Sequence, residues 1–347
     1  MENILSYQKT LAADLAQYFS DRADMKNTNP WHVDITAQLE QYLTGGKLLR
    51  GSLVCFAHEA FGGELLQAAR RTAMALELTH SALLIHDDVI DRDALRRGRA
   101  AMHLRYQALA TTADAAHFGE SMAICVADAA IFLAFERLAS VDIPAVPRQR
   151  LITFFTKALV TVCAGQMLDI ELGYMRGGVK KRDILMVMEQ KTAAYSITLP
   201  LVAGAILADQ PDTVIRALSD LGRLVGIIFQ IRDDELGVFG DPEKTGKPAG
   251  SDIKEGKKTL LYYYLMQRCS GSEKRRLLSI FGNQQVSSDN IDYVRQVMIR
   301  AQVPSTVNRE VKALSRQAAK LIADLPLTPS GQADLLGFLS FCAKRDV

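Results

Sequence analysis

The sequence is poor in the features that mark secreted, membrane-spanning or β-rich proteins. Its five cysteines (Cys55, Cys125, Cys163, Cys269, Cys342) are scattered, odd in number and without a CxxC pair. That pattern argues against a disulfide framework and a thiolate zinc site, and the cysteines read as small buried hydrophobes. The chain opens without a basic stretch and apolar core, so no signal peptide is expected. The longest apolar runs, 197–208 and 123–135, stay near 12 residues, the second broken by Asp128. Both fall short of the ~20 residues needed to span a bilayer. A formal net charge of only +2 gives no sequence-wide attraction to nucleic acid. The expectation is a soluble, cytoplasmic protein with no transmembrane segment and no nucleic-acid partner.

There is also no sustained period-two alternation and no Asn-Gly or Asp-Gly hairpin signal, so strands are not expected. Helical spacing takes their place. Leu76, Leu83 and Ile90 recur at sevens, with Met74, Leu78 and Ile85 in the same stripe. Asn29-Pro30 and Thr328-Pro329 read as N-caps followed by a first-turn proline, and Pro200, inside an apolar run, as a kink. With 347 residues, 48% hydrophobic, the chain can bury a large core. No composition shift or repeat divides it. The expected fold is all-α: a single domain over 1–347, built as a bundle of long antiparallel helices around a central cavity. One Gly- and Lys-rich stretch, 237–258, interrupts the helical pattern, and a loop of that length is usually functional.

The densest chemistry lies in HDDVIDRDALRRGR, 86–99. Asp87 and Asp91 are four apart and share a helix face, with Asp88 alongside. Clustered oxygen ligands suit Mg²⁺, which keeps waters and accepts phosphate oxygens as further ligands. Arg96 and Arg97 follow, planar donors fitted to phosphate. A second acidic pair, Asp233 and Asp234 in FQIRDDELG, ends an apolar helical run. The two clusters could face each other across one cavity walled by their helices. Between them lies Lys191-Thr192; after them come Lys247, Lys257 and Lys258. A nucleotide-binding phosphate loop is excluded by spacing: the paired glycines at 240/246 and 250/256 enclose five residues where four are required.

Taken in order, these elements resemble the trans-isoprenyl diphosphate synthases, the polyprenyl synthetase family, over roughly residues 40–265. GGKLLR (45–50) is similar to that family's GGKxxRP element, with Gly51 where proline is usual. His80 stands at the family's isopentenyl-binding histidine, and DDVIDRDALRRG matches the first aspartate-rich motif. GESMAICVAD, GQMLDIE, KTA, FQIRDD, GKPAGSDI and GKKT follow in the family's order. The second motif departs from DDxxD, ending in Gly237, with Asp241 a little further on.

The resemblance implies the isoprenoid synthase fold and a Mg²⁺-dependent condensation of isopentenyl diphosphate with an allylic diphosphate, with three ions expected. It implies metal contacts from Asp87, Asp91 and Asp233, with Asp88 and Asp234 beside them. Arg96, Lys191 and Lys247 would neutralise the departing diphosphate. Lys47, Arg50, His80 and Arg97, with Lys257 nearby, would hold the second substrate. Thr192 and Gln230 would stabilise positive charge in the pocket, and a homodimer is implied. Chain length would be set by Leu83 and Ala82, four and five residues before Asp87, about 6–8 Å deeper along the helix. Neither is aromatic, which favours a C20 geranylgeranyl product over C15 farnesyl, with longer products open. A non-catalytic subunit of a prenyl synthase complex is the alternative that Gly237 alone favours.

Overall fold

The computed structural model describes residues 2–22, 29–175, 178–240 and 250–344, the side chains of Glu2 and Thr44 excepted. It is all-α, as expected. The one exception among the described residues is a pair of two-residue strands, Leu95–Arg96 (β1) and Arg99–Ala100 (β2). Arg97 and Gly98 between them both have positive φ, 53° and 72°, the geometry of a primed two-residue hairpin turn. Arg-Gly serves here where Asn-Gly or Asp-Gly is the usual signal.

The chain divides into two compact units, Met1–Thr153 with Pro200–Pro211, and Phe154–Leu199 with Asp212–Val347. The first unit holds α1 (Glu2–Ser20), α2 (Pro30–Thr44), α3 (Leu49–Ala60), α4 (Leu66–Asp91), α5 (Met102–Gln107), α6 (Ala115–Ala139) and the start of α7 (Ala145–Tyr174). Asn29 caps α2, its side chain accepting the Trp31 N–H, with Pro30 in the first turn. In α4 every residue from Thr72 to Ala82 is buried. The helix is therefore a core element held on several sides, with α3, α6, α1, α2 and α5 against it. Arg70 on α4 pairs with Asp14 on α1, Nε–Oδ2 2.6 Å. Close backbone approach needs glycine at Gly119, where a Cβ would lie 2.3 Å from the His103 carbonyl oxygen.

The second unit holds the rest of α7, then α8 (Lys181–Val187), a π-helical segment (Met188–Thr198), α10 (Asp212–Phe239) and α11 (Ser251–Glu255). It continues with α12 (Leu260–Arg268), α13 (Gly271–Ile280), α14 (Ser288–Arg300), α15 (Val303–Ala323) and α16 (Pro329–Ala343). Thr328 caps α16 by accepting the Gly331 N–H. The kink expected at Pro200 takes another form. Pro200 is the second residue of α9 (Leu199–Leu207), and the irregularity lies just upstream, as the π-helical turns. A proline cannot donate to the preceding turn, and widened i→i+5 turns are one way a helix absorbs such a gap. Glycines make room for that wide segment. A Cβ at Gly226 would lie 2.4 Å from the Ala193 Cα, one at Gly222 2.5 Å from the Thr198 hydroxyl, and one at Gly165 2.4 Å from the Lys191 N.

The interruption expected over 237–258 begins later, since α10 runs on to Phe239, and it contains α11. Two helices are longer and more apolar than the run lengths suggest, a test that core helices of soluble proteins also pass. By length and composition α6 and α7 are each apolar enough to cross a membrane. Counting unbroken runs understated them, because single polar residues such as Asp128 end a run while barely changing the average. Both helices leave large apolar side chains in the open: Phe132 is 72% exposed, Val160 71% and Met167 70%.

Candidate active site

In the first unit the two acidic residues of the DD pair part company. Asp87 and Asp91 are half-buried on one face of the last turns of α4. Asp88, 100° further round, falls in phase with Ser81 and Ile85 and is fully buried. Its carboxylate holds Arg96, whose Nε donates to Oδ1 at 2.7 Å, and the same guanidinium reaches Asp93 at 3.2 Å. Burial pushes the Asp88 carboxyl up, while Arg96 pulls it down. Burial alone would lower the Arg96 guanidinium, but Asp88 raises it instead. The hairpin turn sends Arg97 the other way. Its Nη1 donates to the Tyr42 carbonyl at 2.9 Å, and the guanidinium lies over the Tyr42 ring, 5.6 Å from its centre. Gly46 clears the space, since a Cβ there would stand 3.0 Å from Arg97 Nη2.

Arg50, at the start of α3, meets His80 of α4, with 3.0 Å between Nη1 and Nε2. A guanidinium can only donate, so Nε2 is the bare, accepting nitrogen of a neutral ring. The surroundings agree. Burial first, then the charges of Arg50, Arg97 and Arg96, hold the imidazole well below the ordinary histidine range. Lys47, three residues before Arg50 in the chain, is exposed. Of the two positions expected to set chain length, Ala82 is fully buried and Leu83, one turn below Asp87, is half-buried.

In the second unit a chain of hydrogen bonds joins the π-helical segment to α10. The Thr192 hydroxyl donates to Gln230 Oε1 at 2.6 Å, and Gln230 Nε2 donates to Asp234 Oδ1 at 2.7 Å. Asp233 is exposed, whereas Asp234 is buried. Burial, and then the neighbouring carboxylates of Asp252 and Asp233, push the Asp234 carboxyl well up despite the Gln230 hydrogen bond. Lys191 Nζ is 2.7 Å from Asp169 Oδ2, and Lys257 Nζ is 2.7 Å from Glu255. Lys247 and Asp241 lie outside the described residues.

The place of Gly237 is filled. An ideal Cβ there would sit 2.3 Å from Asp252 Oδ2 and 2.5 Å from its Cγ. The carboxylate missing from the last position of the second motif is replaced in space by one from α11. Asp252, Asp169 and Glu77 are the site residues that the sequence reading passed over. Two lay inside quoted motifs (GKPAGSDI, GQMLDIE) and one stands a turn before His80, but nothing local names their partners.

Among the described residues no three His, Cys, Asp or Glu side chains converge as a ready-made metal cage. The half-exposed oxygens of Asp87 and Asp91 nonetheless fit a hard divalent cation. Mg²⁺ is typically held by one or two carboxylates, with waters and substrate phosphates completing its shell.

The family model described as polyprenyl synthetase matches residues 33–298. The short chain isoprenyl diphosphate synthase of Methanothermobacter thermautotrophicus is 36% identical over 277 residues, covering 78% of this chain and 80% of the relative. The geranylgeranyl diphosphate synthase of Sulfolobus acidocaldarius is 32% identical over 257 residues, 74% of this chain and 73% of the relative. Among solved structures, the geranylgeranyl pyrophosphate synthase of Corynebacterium glutamicum, complexed with isoprenyl diphosphate and magnesium, superposes with a TM-score of 0.91. It is 29% identical and covers 98% of both chains.

Proposed function

The chain belongs to the polyprenyl synthetase family, and on that premise we propose that it is a prenyltransferase joining isopentenyl diphosphate head-to-tail to an allylic diphosphate. One observation carries this reading. The first unit offers two different provisions for anions: outward carboxylates at Asp87 and Asp91 for a metal-borne diphosphate, and the Arg50, Arg97 and Lys47 cations for a second one. A terpene cyclase has a single diphosphate to hold. The family match runs through both compact units, which supports treating 1–347 as one functional domain.

A divalent metal, Mg²⁺ in our reading and three ions in number, would be held by Asp87, Asp91 and Asp233. When bound it supplies charge that makes the allylic diphosphate a leaving group. Lys191 and Arg96, oriented by Asp169 and Asp88, stabilise the negative charge that grows on that diphosphate as its C–O bond breaks; Lys247 is assigned the same task from the family motif. The Thr192 and Gln230 oxygens, locked by their shared hydrogen bond, stabilise the allylic cation. The isopentenyl double bond, held in place through its own diphosphate, attacks that cation to form the new C–C bond. That leaves the positive charge on the branched isopentenyl carbon, and the carbon beside it loses a proton to the released pyrophosphate, forming the new double bond. His80, neutral and accepting from Arg50, orients that arginine rather than adding charge.

Leu83 and Ala82, neither aromatic, support a product beyond C15, and we assign C20. The exposed apolar side chains of α6 and α7 support a homodimer packed through these helices, in preference to insertion into a bilayer. Cys55, Cys269 and Cys342 are buried, whereas Cys125 and Cys163 are exposed, contrary to the sequence expectation; all five are free, which suits a reducing compartment and a cytoplasmic place. Since Asp252 stands where Gly237 lacks a carboxylate, the feature that favoured a non-catalytic subunit loses its force.

The test is incubation of the purified protein with Mg²⁺, isopentenyl diphosphate and dimethylallyl, geranyl or farnesyl diphosphate, with product lengths read by mass spectrometry. A discrete C20 product, abolished by EDTA, is expected. A C15 endpoint would keep the reaction and overturn the product assignment. No elongation by folded protein would overturn both.

A further inference from the structure

Helix α3 begins without a cap of its own. Leu48, at its N-cap, lies in the left-handed region at φ 45° and provides no side-chain hydrogen bond. The first N–H groups of a helix have no partner within it and need one from elsewhere when buried. Here the partner comes from another helix. Glu77, in the middle of α4 and 3% exposed, accepts the Gly51 N–H at 2.7 Å. The neighbouring Arg50 N–H also favours its charged form, more weakly than Gly51 does. These are the second and third residues of α3, where a capping oxygen belongs. A negative group at that end also suits the helix dipole.

Gly51 is the position at which the family resemblance expects proline. A proline has no N–H, so this bond depends on the departure. The fit is close as well, since a Cβ on Gly51 would stand 3.1 Å from Glu77 Cγ and 3.2 Å from the Ala73 carbonyl oxygen. Burial pushes the Glu77 carboxyl up, and the Gly51 N–H and the charges of Arg50 and Arg97 act against that push. One turn along α4 is His80, which receives the Arg50 side chain. Glu77 thus grips the Arg50 backbone while His80 grips its guanidinium, both from one rigid helix.

We propose that Glu77 is a positioning residue for isopentenyl diphosphate. By capping α3 from α4, it fixes Arg50 in the geometry in which that residue meets the substrate's diphosphate. This rests on the assignment of Arg50 and its neighbours to that substrate. Glu77 touches neither substrate and contributes through Arg50.

The test uses the full-length protein with Glu77→Gln, which keeps the volume and one acceptor but removes the charge and opposes the second N–H. Glu77→Asp is the milder partner, retaining the charge one methylene further back. Arg50→Ala is the reference. Steady-state KM for each substrate and kcat are measured, together with calorimetric titration of isopentenyl diphosphate into protein in EDTA. For Glu77→Gln the expected result is a rise of about tenfold in both the KM and the Kd of isopentenyl diphosphate, with allylic KM and kcat within about twofold. Glu77→Asp should show the same split, smaller. If Arg50→Ala raises the isopentenyl KM but neither Glu77 variant does, the role of Glu77 is overturned and the subsite stands. If Arg50→Ala leaves it unchanged, the subsite assignment falls and the proposal with it. A loss of thermal stability in both Glu77 variants with no split between substrates would reduce the residue to a structural cap. Should Glu77→Gln fail to fold, Glu77→Asp decides alone.

Discussion

The two aspartate pairs, one at the end of α4 and one near the end of α10, solve the same packing problem with different chemistry. Each places one carboxylate outward and its neighbour inward. The inward Asp88 meets a guanidinium, so its charge is compensated within the first unit. The inward Asp234 meets an amide, and the next groups to act on it are two further carboxylates, Asp252 and Asp233. A buried carboxylate facing like charges is costly unless protonated or joined by a cation. The inward charge of the first pair is therefore offset by a direct ion pair with Arg96, whereas the inward carboxyl of the second faces two carboxylates with only the more remote charge of Lys257 against them.

The sharpest way to break this contrast is through the outward residues. Asp87→Ala and Asp233→Ala should each lower kcat by about 10²–10³-fold or more, and each should leave the fold intact by circular dichroism. If Asp233→Ala alone were silent, the second pair would have no part in turnover. Next in size is the inward pair. Asp88→Asn leaves the buried Arg96 with only Asp93 as counter-charge and should cost about 3 kcal/mol in denaturant unfolding. A loss below about 1 kcal/mol would show that Arg96 finds another partner.

Gly237→Ala comes third. Its methyl must displace the buried Asp252 carboxylate, at a cost of about 1–3 kcal/mol, read as a fall in melting temperature. An unchanged melting temperature would mean that Asp252 is free to move aside. The smallest effect is expected of Asp234→Asn, which removes a buried carboxyl that Asp252 and Asp233 repel and only the charge of Lys257 opposes among the described residues. It should leave stability unchanged or raise it by about 1 kcal/mol at pH 7. The sign with pH follows from the raised carboxyl. The folded protein holds a proton here at a pH where the unfolded chain has lost it, so the wild type gains stability from this group as pH falls towards the ordinary carboxylate range. The variant should lack that gain; an identical pH slope in both proteins would show that Asp234 stays ionised.

Much of the site could be read from residue order, because helix periodicity and motif spacing are local properties. Asp87 and Asp91 sharing a face, the two capped prolines and the all-α class needed only the sequence. The burial of Asp88 is also legible, since it extends the stripe through Ser81 and Ile85. Other features have no local sign. That Glu77 reaches Gly51, Asp169 reaches Lys191 and Asp252 reaches Gly237 depends on which helices pack together. The π-helical turns arise from Pro200 and from glycines on α7 and α10 acting together, so no single window contains their cause. The Arg97-Gly98 hairpin was hidden by an unusual first residue for its turn.

The meeting of Gly237 and Asp252 also constrains how this chain can change over time. With Asp252 in its present place, a side chain at 237 would have to push that carboxylate aside. A change from DDELG to DDELD therefore asks for more than one new side chain: α11 must pack differently against the end of α10, fifteen residues away in sequence.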